Sequence, residues 1–273
     1  MTLPTFSIAT VTLNPGKDLD VTAASIASQS FESYEWVVKD GGSKPGQLEA
    51  LEKGPPSRLR LFQSPDRGIF DAMNQSLHLC TGEYIIFMNA GDGFYDPTIL
   101  ARIAEAMARE PGDLYYCDYY NSKWKTVIRY PQTLTKKYLY RRVPCHQGVV
   151  ARRSVLLDGG GFRGDEFKIV ADHEMMYRMV FRKNIVPKHL ALTCCTYKDD
   201  GSHASPAGFA RREKERRVLR AEYFSRTERL TWGAMYHATL PGLRTWITLK
   251  CRGGKFSKLY LWAMARASAI MNR

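Results

Sequence analysis

Residues Tyr84–Asp92 read YIIFMNAGD, an unbroken apolar run that ends on asparagine, a small residue, glycine and aspartate. The run Tyr84–Met88, rich in aromatic and β-branched side chains, suits a strand buried on both faces at the centre of a parallel sheet. Similar runs lie on either side. Phe6–Val11 (FSIATV) stops at Asn14-Pro15-Gly16, Glu35–Lys39 (EWVVK) stops at Asp40-Gly41-Gly42-Ser43, and Leu59–Gln63 and Asp113–Asp118 complete five predicted strands. Helical spacing fills the gaps. Leu19, Ala23, Ile26 and Ala27 share a face over Asp18–Ser30, and Ile69, Met73 and Leu77 do so over Gly68–Leu79. Pro97–Arg109 is a third helix, with proline in its first turn. Strands alternating with helices of about 10–15 residues predict right-handed βαβ units, hence a Rossmann-like α/β fold with a mainly parallel sheet and flanking helices.

Such sheets bind ligands beyond the carboxyl ends of their strands. Asp40 and Asp92 fall at that end, which makes them the first candidates for a site. From Trp124 to Thr196 the pattern loosens to strands near Thr126–Tyr130 and Gly148–Ala151 and a helix near Asp172–Arg182.

Charge divides the chain unevenly. Of the formal +13, Ala204–Arg273 holds +11, with 15 Lys and Arg against 4 Asp and Glu, leaving +2 for Met1–His203. The expected organisation is therefore a catalytic domain over 1–203 and a basic, amphipathic, helical extension over 204–273 that meets phosphate-bearing partners. In Lys255–Arg273, taken as a helix, Phe256, Leu259, Ala263 and Ile270 fall on one arc and Lys255, Lys258, Arg266 and Arg273 on another. That division fits an interfacial anchor or a helix packed on the protein's own core. Leu230–Leu249, with Trp232, Tyr236, Pro241 and Trp246, reads as a second shallow element. No stretch of about 20 residues is clean enough to span a bilayer. The six cysteines lack metal-site or disulfide-framework spacing, and no signal peptide is apparent, so the expected setting is the cytosol.

Four segments carry candidate chemistry, each with a plainer structural alternative. Asp40 can accept hydrogen bonds from a base or ribose, or simply organise a turn. Asp66, in SPDRGIFDAMN, can act at a site or start the following helix. Asp92 is placed to hold a divalent cation against a diphosphate, or to cap the turn before Pro97. Asp172 and Glu174, in VADHE, sit at a helix start, where acids are favoured with or without chemistry.

The succession DGGS, SPDRGIFDAMN, TGEYIIFMNAGD, PCHQGVV and VADHEMMYRM resembles the inverting family 2 glycosyltransferases of GT-A fold, especially bacterial enzymes of capsule, exopolysaccharide and colanic-acid assembly. The resemblance covers about Pro4–Thr196. It implies a donor side made of Thr10, Asp40, Asp66, Arg67, Asn74, Asn89 and Asp92, with Arg67 standing where the family's D-N-G-I segment has asparagine. It implies a Mn²⁺ or Mg²⁺ ion on Asp92, in a DxD-like motif whose first acid is here Asn89. His146 and Gln147 match a pair bordering the acceptor. Asp172 matches the catalytic base, and Glu174 ranks second to it. Partners implied are a nucleotide sugar, a UDP-sugar foremost, and a lipid-linked or growing glycan; the basic tail adds the expectation of an anionic membrane surface at the cytoplasmic face of the inner membrane, with no nucleic acid. A nucleic-acid-binding protein using the basic tail would leave DGGS, NAGD and ADHE without a role. A sugar-phosphate nucleotidyltransferase would open on a glycine-rich loop where Thr10-Val11-Thr12-Leu13-Asn14 stands.

Overall fold

The computed structural model describes residues 5–49, 51, 58–198 and 205–238. The predicted helix Lys255–Arg273 and the end of Leu230–Leu249 lie outside these residues. Four strands, β1 (Phe6–Thr12), β2 (Tyr34–Asp40), β3 (Leu59–Gln63) and β4 (Tyr84–Phe87), run parallel in the order β3-β2-β1-β4. In register, Ile8 lies between Trp36 and Ile86. Strand β1 is central in this half, and Phe6, Ile8 and Ala9 are wholly buried. Thr10 also points inward, where its Oγ1 accepts the indole N–H of Trp36 at 2.9 Å. Helices α1 (Lys17–Ala27) and α2 (Ile69–Leu79) form the crossovers and bury Leu19, Ile26, Met73 and Leu77.

Beyond β4 the sheet changes character. It continues through β5 (Gly93–Phe94), α3 (Ile99–Arg109), β6 (Leu114–Asn121), β7 (Thr126–Ile128), α4 (Lys136–Arg141), β8 (Val149–Arg152), α5 (Arg153–Asp158), α6 (Ala171–Tyr177) and β9 (Lys188–Tyr197). Strand β8 pairs antiparallel with both β4 and β6, β9 runs parallel to β6, and β5 and β7 pair antiparallel at the periphery. The sheet is thus mixed, and the parallel expectation describes its first half. A four-residue β8 and a two-residue β5 are too short for any periodicity to reveal their direction.

Contacts divide the chain into two compact units: 1–133 with 144–216, and 134–143 with 217–273. In the second, Tyr140 of α4 meets Phe224 and Trp232 edge-on at 5.1 and 5.7 Å, and the Arg220 guanidinium lies 4.4 Å over the Tyr140 ring. Helix α7 (Pro206–Tyr223) crosses the division at Arg216, and its last turns together with helix α8 (Arg226–Ala238) supply most of the other described residues of the second unit.

At the amino end of the parallel strands, buried Glu35 joins three segments. It accepts from Ser7 Oγ at 2.6 Å, from the Thr81 and Gly82 backbone N–H groups, and from Arg60 at 2.6 Å. Burial pushes its pKa up, but the hydrogen bonds of Ser7, Thr81 and Arg60 outweigh that and hold it below the usual value. Its contribution to stability is therefore complete above the ordinary carboxyl pKa and lost as pH falls through the lower folded value. Glu35→Gln is expected to lower unfolding stability at pH 7 by about 1–3 kcal/mol. It should also flatten the acid arm of a stability–pH curve measured by denaturant unfolding.

Candidate active site

The loops at the carboxyl ends of β1, β2 and β3 are tied to one another. Gly41 N–H donates to the Thr12 carbonyl, Asn14 Oδ1 accepts from Lys44 N, and Ser43 Oγ accepts from Asn14 N. Asp40, fully buried, governs the second loop: its carboxylate accepts from the Ser43 hydroxyl, from the Gly42 and Ser43 N–H groups, and from Gln63 Nε2. Burial raises its pKa, yet the hydrogen bonds from Ser43, Gln63 and Gly42 prevail and keep it low. Asp66 lies across this loop, 3.3 Å from Lys39 Nζ. Lys39 has no exposed surface and also donates to the Asp40 and Ser64 carbonyls at 2.9 and 2.6 Å. A buried ammonium needs such company. A Cβ on Gly41 would come within 2.5 Å of Asp66 Oδ2, so the glycine lets the Asp66 carboxylate close over this loop.

The turn after β4 is built differently. Gly91, at φ 93°, reverses the chain with the left-handed conformation that glycine adopts without strain. Thr22 of α1 steadies it, donating to the Asp92 carbonyl at 2.6 Å and accepting from Gly91 N at 3.0 Å. Only 5% of Asp92 is exposed; its Oδ2 accepts from Gln147 Nε2 at 2.7 Å and its Oδ1 from Lys198 N at 3.0 Å. Lys198, just past β9, also places its ammonium 3.0 Å from both Asp18 oxygens.

His146 connects this turn to α6. Its Nε2 accepts from Asn89 Nδ2 at 3.0 Å, and its Nδ1 stands 3.5 Å from Asp172 Oδ2. With Asn89 donating, the ring carries its proton on Nδ1, facing the carboxylate. Asp172 also accepts from His173 N at 2.9 Å. Desolvation raises its pKa, but the charge of His173 and the hydrogen bond from His146 more than reverse this, so the group is ionised near neutrality.

Asn89, Asp92, His146, Gln147 and Asp172 are thus brought into one hydrogen-bonded group, and Asp40 and Asp66 into another joined by Lys39. The remaining candidates have other principal partners. Thr10 lies beneath Trp36. Asn74 clips α2 to Phe162, donating to its carbonyl at 2.8 Å and accepting from its N–H at 2.7 Å. Arg67 is 69% exposed and pairs with Asp71 and Asp165 at 3.0 and 3.3 Å. Glu174, fully buried, is neutralised by Arg178 and Arg163 at 2.9 and 3.2 Å, while Arg178 also reaches the Gly159 and Gly161 carbonyls. Sequence reasoning missed Lys39 and Lys198. A lysine closing the apolar run EWVVK was a usable signal for the first; nothing local marks the second.

A divalent cation would meet hard oxygen ligands at the Asn89–Asp92 turn. The Asp92 carboxylate is one, and Asn89 Oδ1 is a buried oxygen with no hydrogen-bond partner. Mg²⁺ and Mn²⁺ accept such ligands, with water and phosphate oxygens completing the shell, so these residues fit the ion. No cluster of three or more His, Cys, Asp and Glu suited to a metal occurs among the described residues.

Residues 7–168 match the family profile described as glycosyl transferase family 2. A PGL/p-HBAD biosynthesis glycosyltransferase of Mycobacterium bovis is 30% identical over 209 residues, covering 74% of this chain and 79% of that protein. Among solved structures, residues 1–349 of S. aureus TarS in complex with UDP-GlcNAc superpose with a TM-score of 0.61 at 20% identity. That match covers 77% of this chain but 65%, less than two thirds, of the other. The mannosyltransferase PcManGT from Pyrobaculum calidifontis, in complex with GDP-Man and Mn²⁺, superposes at 0.64 with 18% identity, over 99% of this chain and 81% of its own. The shared fold is GT-A, a mixed sheet with flanking helices.

Proposed function

The chain belongs to glycosyl transferase family 2, and from that premise we propose that it moves one sugar from a nucleotide sugar to a lipid-linked or growing glycan, with inversion at the anomeric carbon. The observation that carries this reading is the group joining Asp172 through His146 to Asn89, with Asp92 beside it on Gln147. It sets an ionised carboxylate close to the turn best suited to a diphosphate. In this reading Asp172 takes the proton of an acceptor hydroxyl. The hydroxyl oxygen bonds to the anomeric carbon from the face opposite the nucleotide, the carbon–oxygen bond to the diphosphate breaks, and its electron pair leaves with the nucleoside diphosphate. His146 orients Asp172, and Asp40 orders the loop that receives the nucleoside. A Mn²⁺ or Mg²⁺ ion on Asp92 and Asn89 would offset the charge that develops on the leaving diphosphate. UDP-GlcNAc and GDP-Man bound to the structural neighbours support a nucleotide-sugar donor, and a UDP-sugar is the first choice. Glu174, held by two arginines, serves the architecture of α6 in this scheme. The test is a panel of UDP-, GDP- and dTDP-sugars with and without Mn²⁺, read by nucleotide release. Release from one donor class is expected; binding to oligonucleotides and to no nucleotide sugar would overturn the reading.

The basic end supports a peripheral place on the inner leaflet. No helix among the described residues is long and apolar enough to cross a membrane. Thr239–Arg273 carries seven Lys and Arg and no acid. At about 1 kcal/mol for each basic residue near an anionic leaflet, such a segment can anchor the chain. Full-length protein is expected to float with anionic liposomes, less so as salt rises, and a chain ending at Ala238 to float poorly. Equal flotation of the two would remove the anchor from this segment.

A further inference from the structure

We infer that Glu215 of α7, beyond the expected limit of the catalytic domain, is a positioning residue for Asp172. The inference rests on the reading of Asp172 as the base. Helix α6 begins at Ala171, and Val170, which precedes it, offers no side-chain cap. Serine, threonine, aspartate or asparagine usually stands at such a place. Glu215, 45 residues further along the chain, supplies no such cap but fixes the segment that leads into the helix. Glu215, 7% exposed, accepts three consecutive backbone N–H groups: Lys168 N on Oε1 at 3.0 Å, and Ile169 N and Val170 N on Oε2 at 2.8 and 3.2 Å. Arg211, one turn earlier in α7, donates to Oε1 at 2.8 Å and fixes the carboxylate.

The clamp ends two residues before Asp172. Val170 and Ala171 are wholly buried, and the Val170 carbonyl accepts the first helical hydrogen bond, from Glu174 N at 3.0 Å. The first turn of α6 is therefore defined by the segment that Glu215 holds. Asp172 spends one oxygen on His173 N within that turn and directs the other at His146. Fraying or rotation of the turn carries the carboxylate away from His146 and from any acceptor. Misplacement of a reacting group by about 1 Å can cost about 10²-fold in rate. Glu215 holds the segment before Asp172 and makes no hydrogen bond to Asp40, Asp66 or Asp92, so the larger effect of the clamp falls on Asp172 and not on donor binding. A chain cut at His203, where the charge balance changes, would lose Glu215 along with the tail.

The test uses the full-length chain and Glu215→Gln, which keeps the size but replaces one acceptor oxygen by an N–H₂ group facing N–H donors. Amide hydrogen exchange over 167–174 is expected to quicken by about tenfold or more, the effect of losing a hydrogen bond to a charged group. With kcat normalised to nucleotide-binding sites, kcat should fall by about tenfold while donor KM stays within about twofold, the pattern of a defect confined to the transition state. A purely structural role would lower the number of binding sites and leave kcat per site alone. If the Gln variant does not fold, Glu215→Asp, with its charge kept and its reach shortened by one methylene, carries the same readouts. Unchanged exchange overturns the clamp; quickened exchange with unchanged kcat per site overturns its positioning role. Should the wild-type chain release nucleotide from no sugar donor, the glycosyltransferase reading fails, and exchange alone still decides the clamp.

Discussion

Asp172→Asn is expected to lower kcat by about 10²–10⁴-fold, the usual contribution of a general base, while donor affinity stays within about twofold. The substitution nearly preserves volume. An asparagine Oδ1 still accepts from His173 N, so the first turn of α6 keeps its bond, but the side chain can no longer take a proton at neutral pH. The wild-type carboxylate is suited to receive one. Burial would push its pKa up, yet the charge of His173 and the hydrogen bond from His146 hold it low enough to remain ionised. The control is Glu174→Gln. Glu174 is fully buried between Arg178 and Arg163. Removing its charge leaves two arginines short of a partner, a kind of change that costs about 3–5 kcal/mol of stability. The two carboxylates therefore separate by readout. Steady-state kinetics and denaturant unfolding on both variants should show a rate defect in the first and a stability defect in the second. An active Asp172→Asn beside a folded, inactive Glu174→Gln would exchange their roles.

Much of the fold around this site could be read from local pattern, and the parts that could not have separate physical causes. Strands β1, β2 and β4 announce themselves as buried apolar runs closed by turn residues, and the loops after them hold Asp40 and Asp92. His146 and Gln147 were legible by resemblance, and the structure places both against the turn that carries Asn89 and Asp92. Strand β9 was not legible. Its sequence KHLALTCCTY has no clean alternation of buried and exposed positions, and Ala191 within it takes a positive φ of 50°. The predicted helix Asp172–Arg182 is α6 continued by a single π-helical stretch over Arg178–Arg182, a change of winding that periodicity does not resolve. Asn74 and Glu174 enter the candidate set through the resemblance, and Asn74 also because an asparagine inside a helix is poorly explained by propensity. Asn74 is answered by the Phe162 backbone, 88 residues away, and Glu174 by Arg178, one turn further along the same helical stretch, and by Arg163, which precedes it. Lys39 and Glu215 escaped sequence reasoning. Lys39 carries a local signal as a lysine closing an apolar run, but the Ser64 carbonyl that receives it, like the backbone that Glu215 holds, comes from far along the chain.

Asp92→Ala should abolish the Mn²⁺-dependent part of nucleoside diphosphate binding. The carboxylate is the one acid of the Asn89–Asp92 turn, and beside it Asn89 contributes a buried oxygen without a partner. Replacing that acid removes the strongest ligand available to the ion. Loss of a mere outer partner of a metal ligand costs about 10–100-fold in affinity, so loss of the ligand itself should cost about 100-fold or more. Asp92 also has a structural duty, since Gln147 Nε2 and Lys198 N both donate to it at 2.7 and 3.0 Å. The alanine leaves these two donors without their acceptor, at about 1–3 kcal/mol each. Asp92→Asn divides the two effects. Its oxygen can still accept from Lys198 N, so it should recover part of the lost stability, while its neutral amide lacks the charge with which the carboxylate would hold a divalent cation. Titration calorimetry of UDP against both variants, with and without Mn²⁺, reads the metal effect directly. For each variant the two affinities should coincide, whereas for the wild-type chain Mn²⁺ should tighten binding. If Asp92→Ala, folded by circular dichroism, binds UDP with Mn²⁺ as tightly as the wild-type chain does, the ion does not rest on Asp92.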